Sequence, residues 1–187
     1  MKPALSDMLI RRLGASDAEA FAVLRRAVTQ NNPIPMGLTL DEELGRSIQG
    51  FRDQLSYPEP NAAFGAFLGQ VLVGSAAVAW PSKFPSSRHK TNLWGVFVSP
   101  TERGRGIGRA VVSAALQHAF HHGVRRVNLQ VFVPNAEAVS LYQSMGFIEY
   151  GREPEAVCLN GVYFDGVHMS LINNEAQPPA PFKRLAS

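Results

Sequence analysis

The stretch Arg103-Gly104-Arg105-Gly106-Ile107-Gly108 decides the fold because of the segments on either side of it. Residues 93–98 are apolar and β-branched and predict a buried strand, whereas residues 109–120 have the apolar spacing of a helix. Glycines let the backbone approach an anion, and the N–H groups and dipole of a helix N-terminus attract negative charge. The stretch therefore predicts a phosphate-binding loop between a strand and a helix.

Arginines in this loop strengthen the prediction of an anion site. Arg103, Arg105 and Arg109 lie at the positive end of the predicted helix, where a cation is disfavoured by roughly 0.3–1 kcal/mol unless an anion neutralises it. The alternative is a structural turn whose arginines extend into solvent. The loop lacks the Gly-Lys-Ser/Thr of a nucleotide P-loop, and its glycine spacing does not fit G-x-G-x-x-G.

A second pattern follows the predicted helix. Residues 127–133 predict a strand, and residues 136–145 predict a short helix that carries Asn135-x-x-Ala138-x-x-Leu141-Tyr142-x-x-x-Gly146-Phe147. The first motif resembles the R-x-x-G-x-G acetyl-CoA loop of the GNAT superfamily of N-acetyltransferases. The second resembles the other half of that family's cofactor region. The resemblance covers residues 93–151 closely and the flanks by general layout.

The resemblance implies an α/β fold of the α+β type. Its centre would be a mixed, mostly antiparallel, twisted sheet of about six to seven strands, flanked by helices. Residues 1–172 would form this single domain, and the aperiodic, proline-bearing residues 173–187 would form a flexible C-terminal tail. Outside the motifs, the pattern predicts one helix over residues 41–55 and hairpin turns at Gly69-Gln70 and Asn160-Gly161.

Composition limits the classes of function. The net charge is +3, but the 18 Lys and Arg residues are dispersed, so we expect no nucleic-acid binding. The single cysteine, Cys158, excludes an internal disulfide and suits a reducing compartment. No metal site is expected, since His121 and His122 point in different directions. Without a signal-peptide pattern or an apolar run near ~20 residues, we expect a cytoplasmic protein that binds no membrane.

The resemblance also assigns roles in cofactor binding. The backbone of Gly104, Arg105, Gly106, Ile107 and Gly108 would cradle the pyrophosphate of acetyl-CoA, with Arg103 and Arg109 beside it. The strand Val96-Phe97-Val98 would splay from its neighbour and pair with the pantetheine arm. One N–H near Val96 or Phe97 would then stabilise the oxyanion. The alternative is an ordinary central strand.

Asn135 and Tyr142 are the candidate site residues of the second motif. They lie about two helical turns apart and so face the same side, where Asn135 would reach the cofactor arm and Tyr142 its sulfur. A phenol titrates near ~10 and a thiol near ~8.5, so Tyr142 would stay protonated and act as the catalytic acid for the thiolate. The alternatives are a plain N-cap for Asn135 and a core aromatic for Tyr142.

The sequence does not assign the base that takes the proton from the amine. Asn92 stands where some members of the resembled family have a glutamate, and an amide cannot take a proton. A water chain, a backbone carbonyl or one of four side chains would replace it: Glu42, Glu43, Asp165 or His168. We expect the acceptor groove to be formed by residues 33–52, 81–90 and 158–167.

The sequence therefore predicts an N-acetyltransferase that moves the acetyl group of acetyl-CoA directly to a primary amine in a ternary complex. The amine could belong to a small molecule, an amino acid or a protein, and the enzyme could be a monomer or a homodimer. A longer acyl donor also stays open. The alternative from another class is a non-catalytic acyl-CoA-binding sensor or interaction module of the same fold.

Overall fold

The fold is built from seven strands and five α-helices in residues 8–82 and 84–174, the part of the chain that the structure, a computed structural model, describes. The strands are β1 (Met8–Arg12), β2 (Ala62–Leu68), β3 (Val71–Ala79), β4 (Lys90–Val98), β5 (Arg126–Val133), β6 (Ile148–Leu159) and β7 (Val162–Ile172). The helices are α1 (Ala18–Asn31), α2 (Leu40–Leu44), α3 (Ile48–Leu55), α4 (Ile107–His121) and α5 (Ala136–Ser144).

One sheet contains these strands, in the order β1-β2-β3-β4-β5-β7-β6. Neighbouring strands are antiparallel except β4 and β5, which are parallel because the chain returns from one to the other through α4. The mixed, mostly antiparallel sheet confirms the predicted fold class. Residues 175–187 of the predicted tail lie outside the described residues.

Helices cover both faces of the sheet. Adjacent strand residues point to opposite faces, so Ala66 and Phe67 of β2 enter two different hydrophobic clusters. Val111 of α4 packs in the cluster of Ala66, whereas Phe21 of α1 and Phe51 of α3 pack in that of Phe67. Of the helices in the described part of the chain, none combines the length and the hydropathy needed to cross a bilayer.

Both predicted hairpin turns are confirmed. Gly69, between β2 and β3, has a φ of +61°. Asn160 and Gly161, between β6 and β7, have φ values of +51° and +81°. Glycine and asparagine tolerate these left-handed conformations, which tight hairpin turns require.

The segment between α1 and β2 differs from its prediction. A single helix over residues 41–55 is wrong, because a turn at residues 45–47 separates α2 from α3. Each helix has its own cap: the Thr39 hydroxyl accepts a hydrogen bond from the Glu42 N–H, and the Ser47 hydroxyl caps α3 in the same way. The apolar spacing continues across the turn, which is why periodicity alone did not show the break.

The two parallel strands, β4 and β5, separate part of the way along their length. β4 pairs with β5 only from Lys90 opposite Arg126 to Asn92 opposite Asn128, although both strands continue further. Beyond that point β4 still pairs with β3, and β5 still pairs with β7. The splay that the family resemblance implied is therefore present, and it separates the two strands in the middle of the sheet.

A β-bulge lies in β4 just beyond this point. The pairing with β3 shifts between Ser75 and Ala77, which leaves Gly95 and Val96 opposite a single residue. Gly95 has a φ of +63°, in the left-handed region that glycine tolerates. The Ser75 hydroxyl donates a hydrogen bond of 2.9 Å to the Gly95 carbonyl. The register thus places Val96 outside the ladders with β3 and with β5.

Replacement of Gly95 by alanine tests the bulge. The added Cβ would meet only Phe97 at 3.7 Å and Ala77 at 4.0 Å, so the cost comes from the left-handed φ and not from a clash. We expect Gly95→Ala to lower the free energy of unfolding by about 1–2 kcal/mol, measured by urea denaturation. The control is Gly151→Ala in β6, where no atom lies within 4 Å. It should change the same free energy by less than about 0.5 kcal/mol, and equal effects of the two variants would contradict the assignment.

Candidate active site

Two cavities meet where β4 and β5 separate. The sheet cavity, of about 870 Å³, runs along residues 92–97 of β4 and 128–132 of β5. The loop cavity, of about 800 Å³, runs from residues 96–98 along the glycine-rich loop before α4. Both cavities share the same residues at their junction: Pro35, Val96, Phe97, Asn135, Ala138 and Tyr142. A molecule in one cavity can therefore contact a molecule in the other.

The glycine-rich loop forms the far end of the loop cavity. Gly104 and Gly106 have φ values of +74° and +79°, and a Cβ on either would meet no atom within 4 Å. The first hydrogen bond of α4 joins the Ala110 N–H to the Gly106 carbonyl at 3.1 Å, so the N–H groups just before it have no partner within the helix. The open space and the positive helix end fit a pyrophosphate group.

Three arginines surround this loop, each held by a different partner. Arg105 forms an ion pair with Glu102, Arg103 donates to Asn31 Oδ1 at 3.1 Å, and Arg109 donates to the Ser144 hydroxyl at 2.6 Å. The partners of Arg103 and Arg109 are neutral, and both arginines line the loop cavity. Their positive charges can therefore act on an anion bound there.

Asn135 and Ala138 belong to the first turn of α5. Asn135 Oδ1 accepts a hydrogen bond from the Ala138 N–H at 3.3 Å, so Asn135 does cap the helix. Asn135 also lines both cavities. Asn135 can therefore cap α5 and still contact a molecule bound at the junction, so the two roles that the sequence left open are compatible.

Tyr142 follows two turns later and lies at the same junction. Its side chain is buried, and its ring packs against Phe147 with the ring centroids 5.6 Å apart. Burial raises the pKa of the Tyr142 phenol above its ordinary value, since the phenolate would lose its hydration. The phenol therefore keeps its proton throughout the physiological pH range.

Three of the four candidate bases lie outside both cavity walls. Glu42 is exposed and caps α2, where it accepts a hydrogen bond of 2.7 Å from the Thr39 N–H. The carboxylate of Asp165 accepts a hydrogen bond of 3.1 Å from the Glu155 N–H at the edge of the sheet. Glu43 is fully buried in an ion pair. None of these three carboxylates lines the sheet cavity or the loop cavity.

His168 is the fourth candidate, and it lines the sheet cavity. Its Nε2 lies 3.1 Å from Glu153 Oε2 and 3.4 Å from Gln130 Nε2. Asn92 lines the same cavity. The imidazole is thus the one titratable group of the four that can meet a bound molecule, and Glu153 fixes its orientation.

The walls of the sheet cavity differ from the predicted acceptor groove. None of the described residues in the ranges 81–90 and 158–167 lines it: the first range leads into the paired end of β4, and the second forms the tip of the β6–β7 hairpin. The first predicted segment, residues 33–52, does contribute. The sequence missed many other residues of the wall, among them Arg25, Tyr57, Trp94, Gln130 and Tyr150. Arg25 lies four residues after Phe21 and therefore on the same side of α1, but no local sequence motif indicates that it belongs to a site.

A buried ion pair connects the cavity wall to the helices behind it. Arg25 of α1 and Glu43 of α2 form two hydrogen bonds, of 2.8 and 2.7 Å, and both side chains are almost fully excluded from solvent. The Arg25 guanidinium lies 5.1 Å from the centre of the Phe97 ring. Glu43 is therefore a structural residue, and its consideration as a base is wrong.

A group of three potential metal ligands lies away from both cavities. Glu59, His118 and His122 bring their ligand atoms within 4.8 Å of one another. His118 Nε2 already lies 2.7 Å from the Pro60 carbonyl, and Arg12 contacts the Glu59 carboxylate. Because these contacts satisfy two of the three side chains, we assign the group to the packing of α4.

Comparison with known proteins identifies the family. The model of the acetyltransferase (GNAT) family matches residues 30–147, more than half of the chain. The chain belongs to this family. Spermidine N(1)-acetyltransferase of Vibrio cholerae is 30% identical over 88 residues, which make up 46% of this chain and 51% of that protein. The chain thus aligns with about half the length of that relative.

Solved structures share the fold. A GNAT-family acetyltransferase from Streptococcus pneumoniae superposes with a TM-score of 0.80 at 22% identity, over 89% of this chain and 99% of that one. A GNAT-superfamily phosphinothricin acetyltransferase from Sinorhizobium meliloti, solved in complex with acetyl-CoA, superposes with a TM-score of 0.81 at 18% identity, over 95% of each chain. At these identities the likeness shows the fold.

Adjacent glutamates allow a matched test of the buried ion pair. Loss of one partner of a buried pair typically costs about 3–5 kcal/mol, because the other charge stays buried without compensation. We expect Glu43→Gln to lower the free energy of unfolding by about this amount in urea denaturation. Glu42→Gln changes the exposed neighbour and should cost less than about 1 kcal/mol. If both variants had the same small effect, the ion pair would not support the wall.

Proposed function

We propose that this chain is an acetyl-CoA-dependent N-acetyltransferase whose donor occupies the loop cavity and whose amine acceptor occupies the sheet cavity. The observation that carries the proposal is the junction at Val96 and Tyr142, which lies on both cavity walls. The V. cholerae relative is named as an acetyltransferase of spermidine, an amine. The S. meliloti protein of the same fold is solved with acetyl-CoA. Both support the proposal.

The loop cavity contains groups suited to each part of the donor. The amides at the start of α4, with Arg103 and Arg109, would hold the pyrophosphate. The pantetheine arm would lie along residues 96–98, where the ladder between β4 and β5 has ended. Asn135 lies at the junction and would contact the same arm. Acetyl-CoA supplies the acetyl group as an activated thioester.

Each step of acetyl transfer would use a group of this chain that lines one or both cavities. The Val96 N–H, outside both ladders, would donate to the carbonyl oxygen as negative charge develops on it. Tyr142 would donate its proton to the sulfur as the carbon–sulfur bond breaks, and the new bond joins the carbonyl carbon to the amine nitrogen. His168 would take the proton from the amine, since it is the candidate base on the sheet cavity wall.

Transfer would be direct, in a ternary complex. A covalent acyl-enzyme needs a nucleophile such as a cysteine, serine or lysine beside the donor. Among the described residues that line the two cavities, none is a cysteine, serine, threonine or lysine. Cys158 is exposed and lies on β6, outside both walls. Two cavities that meet at one point suit the simultaneous binding of donor and acceptor.

Substitution of Tyr142 separates an enzyme from a non-catalytic acyl-CoA sensor. Tyr142→Phe removes the proton donor and keeps the ring that packs on Phe147. We expect the rate of thiol release with an amine acceptor to fall by roughly 10²–10⁴-fold, while the Kd for acetyl-CoA measured by calorimetry stays within about twofold. A sensor would show no amine-dependent thiol release in the wild type. Wild-type rates in the variant would remove Tyr142 from the mechanism.

Substitution of Gly106 tests the donor site itself. Gly106→Glu places a carboxylate at the positive end of α4, where the pyrophosphate would lie, and we expect calorimetry to detect no acetyl-CoA binding. Wild-type binding should weaken when salt is raised, because the contacts are charged. Gly123→Glu is the control, since Gly123 also has a positive φ, of +75°, and open surroundings, but follows the other end of α4. Unchanged affinity in Gly106→Glu would contradict the proposed phosphate loop.

A further inference from the structure

Charge is unevenly distributed on the wall of the sheet cavity. Arg25 and Arg46 both line it, whereas none of the described residues that line it is an aspartate or a glutamate. The nearest carboxylate behind the two arginines is Glu43, which is fully buried. An acceptor that carries several positive charges would meet arginines here and no carboxylate.

The two arginines share that single carboxylate unequally. Arg25 uses both oxygens of Glu43 at 2.8 and 2.7 Å, whereas Arg46 Nη1 lies 3.9 Å from the nearer oxygen. The Arg46 guanidinium also donates a hydrogen bond of 2.6 Å to Gln54 Oε1, a neutral group. Two positive charges and one negative charge leave an excess of one positive charge. This excess lies on Arg46, whose side chain is about a third exposed.

The surroundings of Arg46 favour an anionic partner. Its guanidinium stacks over the Phe51 ring, 4.4 Å from the ring centre, which fixes its position. Partial burial and, next, the charge of Arg25 lower the pKa of Arg46, while Glu43 compensates only in part. A bound anion would relieve both effects.

Trp94, on the same wall, carries a buried polar atom without a hydrogen-bond partner. The Nε1 of Trp94, which lines the sheet cavity, is buried and makes no hydrogen bond. A buried N–H without an acceptor is costly, by about 1–3 kcal/mol in typical cases. Arg46 therefore offers N–H donors on this wall, and the rest of the lining includes apolar and aromatic side chains such as Met36 and Phe132.

We propose that the acetyl acceptor is a small amine that also carries a carboxylate, as an amino acid does, and that this carboxylate pairs with Arg46 in the sheet cavity. The inference rests on the proposed function, because it names the acceptor class of the same site. A guanidinium binds a carboxylate with charge-assisted hydrogen bonds, and those of Arg are directional. A polyamine would find no such partner on this wall.

Acceptor specificity gives the first test. Acetyl-CoA-dependent thiol release would be measured for a panel of amino acids, for the matching amino acid amides, and for spermidine. Loss of a charge-assisted contact predicts that kcat/KM falls by about 10- to 100-fold from an amino acid to its amide. Equal use of acids and amides, or a preference for spermidine, would overturn the inference and leave the proposed function intact.

Variants of Arg46 give the second test. Arg46→Gln should raise the KM for the preferred amino acid by about 10- to 100-fold, with little change in kcat or in the KM for its amide. Arg46→Lys keeps the charge and should recover part of the loss. Arg52→Gln is the matched control, because Arg52 lies on the outer side of α3, where it pairs with the exposed Glu19. A loss in Arg46→Gln that is equal for acids and amides would indicate a structural role only.

A binding measurement separates this inference from the proposed function. N-acetyl-leucine and N-acetyl-leucinamide would be titrated into the wild type and Arg46→Gln, each saturated with coenzyme A. Binding of the acid that weakens at least tenfold in the amide and in the variant supports the carboxylate subsite, even if no amine supports thiol release. Equal binding of acid and amide to the wild type contradicts the subsite, whether or not the enzyme is active.

Discussion

The early end of the ladder between β4 and β5 is the constraint on which the site depends. Strands that pair along their whole length lie about 4.8 Å apart and leave no room for a ligand. Here pairing ends at Asn92 and Asn128, and the two cavities occupy the space beyond. The turn after α1 packs against this opening: a Cβ on Gly37 would lie only 2.4 Å from the Phe132 ring. Glycine at that position lets the turn close over the cleft without filling it.

The helices on one face of the sheet are tied to this opening through a buried charge pair. A buried ion pair adds little to stability by itself, because desolvation offsets attraction, but it strongly disfavours arrangements that separate the partners. Arg25 and Glu43 therefore fix α1 against α2, and Arg25 contacts the face of Phe97. Phe97 also lies at the junction of the two cavities. The wall of the sheet cavity is thus coupled, through Arg25 and Phe97, to β4, the strand along which the donor would lie.

The sequence predicted the wall of the loop cavity much better than the wall of the sheet cavity, and the reason is physical. The glycine-rich loop is local: its glycines, arginines and helix start lie within a few residues, and their spacing alone predicts the positive φ values that Gly104 and Gly106 adopt. The wall of the sheet cavity instead joins distant segments, so Arg46 and Trp94 line the same cavity only because of the fold. Glu43 was considered as a base for the same reason, since nothing local revealed its pairing with a residue one helix earlier.

The charge of the acceptor wall also bears on proton transfer. An ammonium beside a carboxylate is stabilised, and its pKa rises, whereas an ammonium beside arginines is disfavoured and its pKa falls. Because no described residue on the sheet cavity wall is acidic, the wall would lower the pKa of a bound amine. A bound amine with a lowered pKa gives up its proton to a weaker base. His168 lines this wall and would accept that proton, whereas the amide of Asn92 on the same wall cannot.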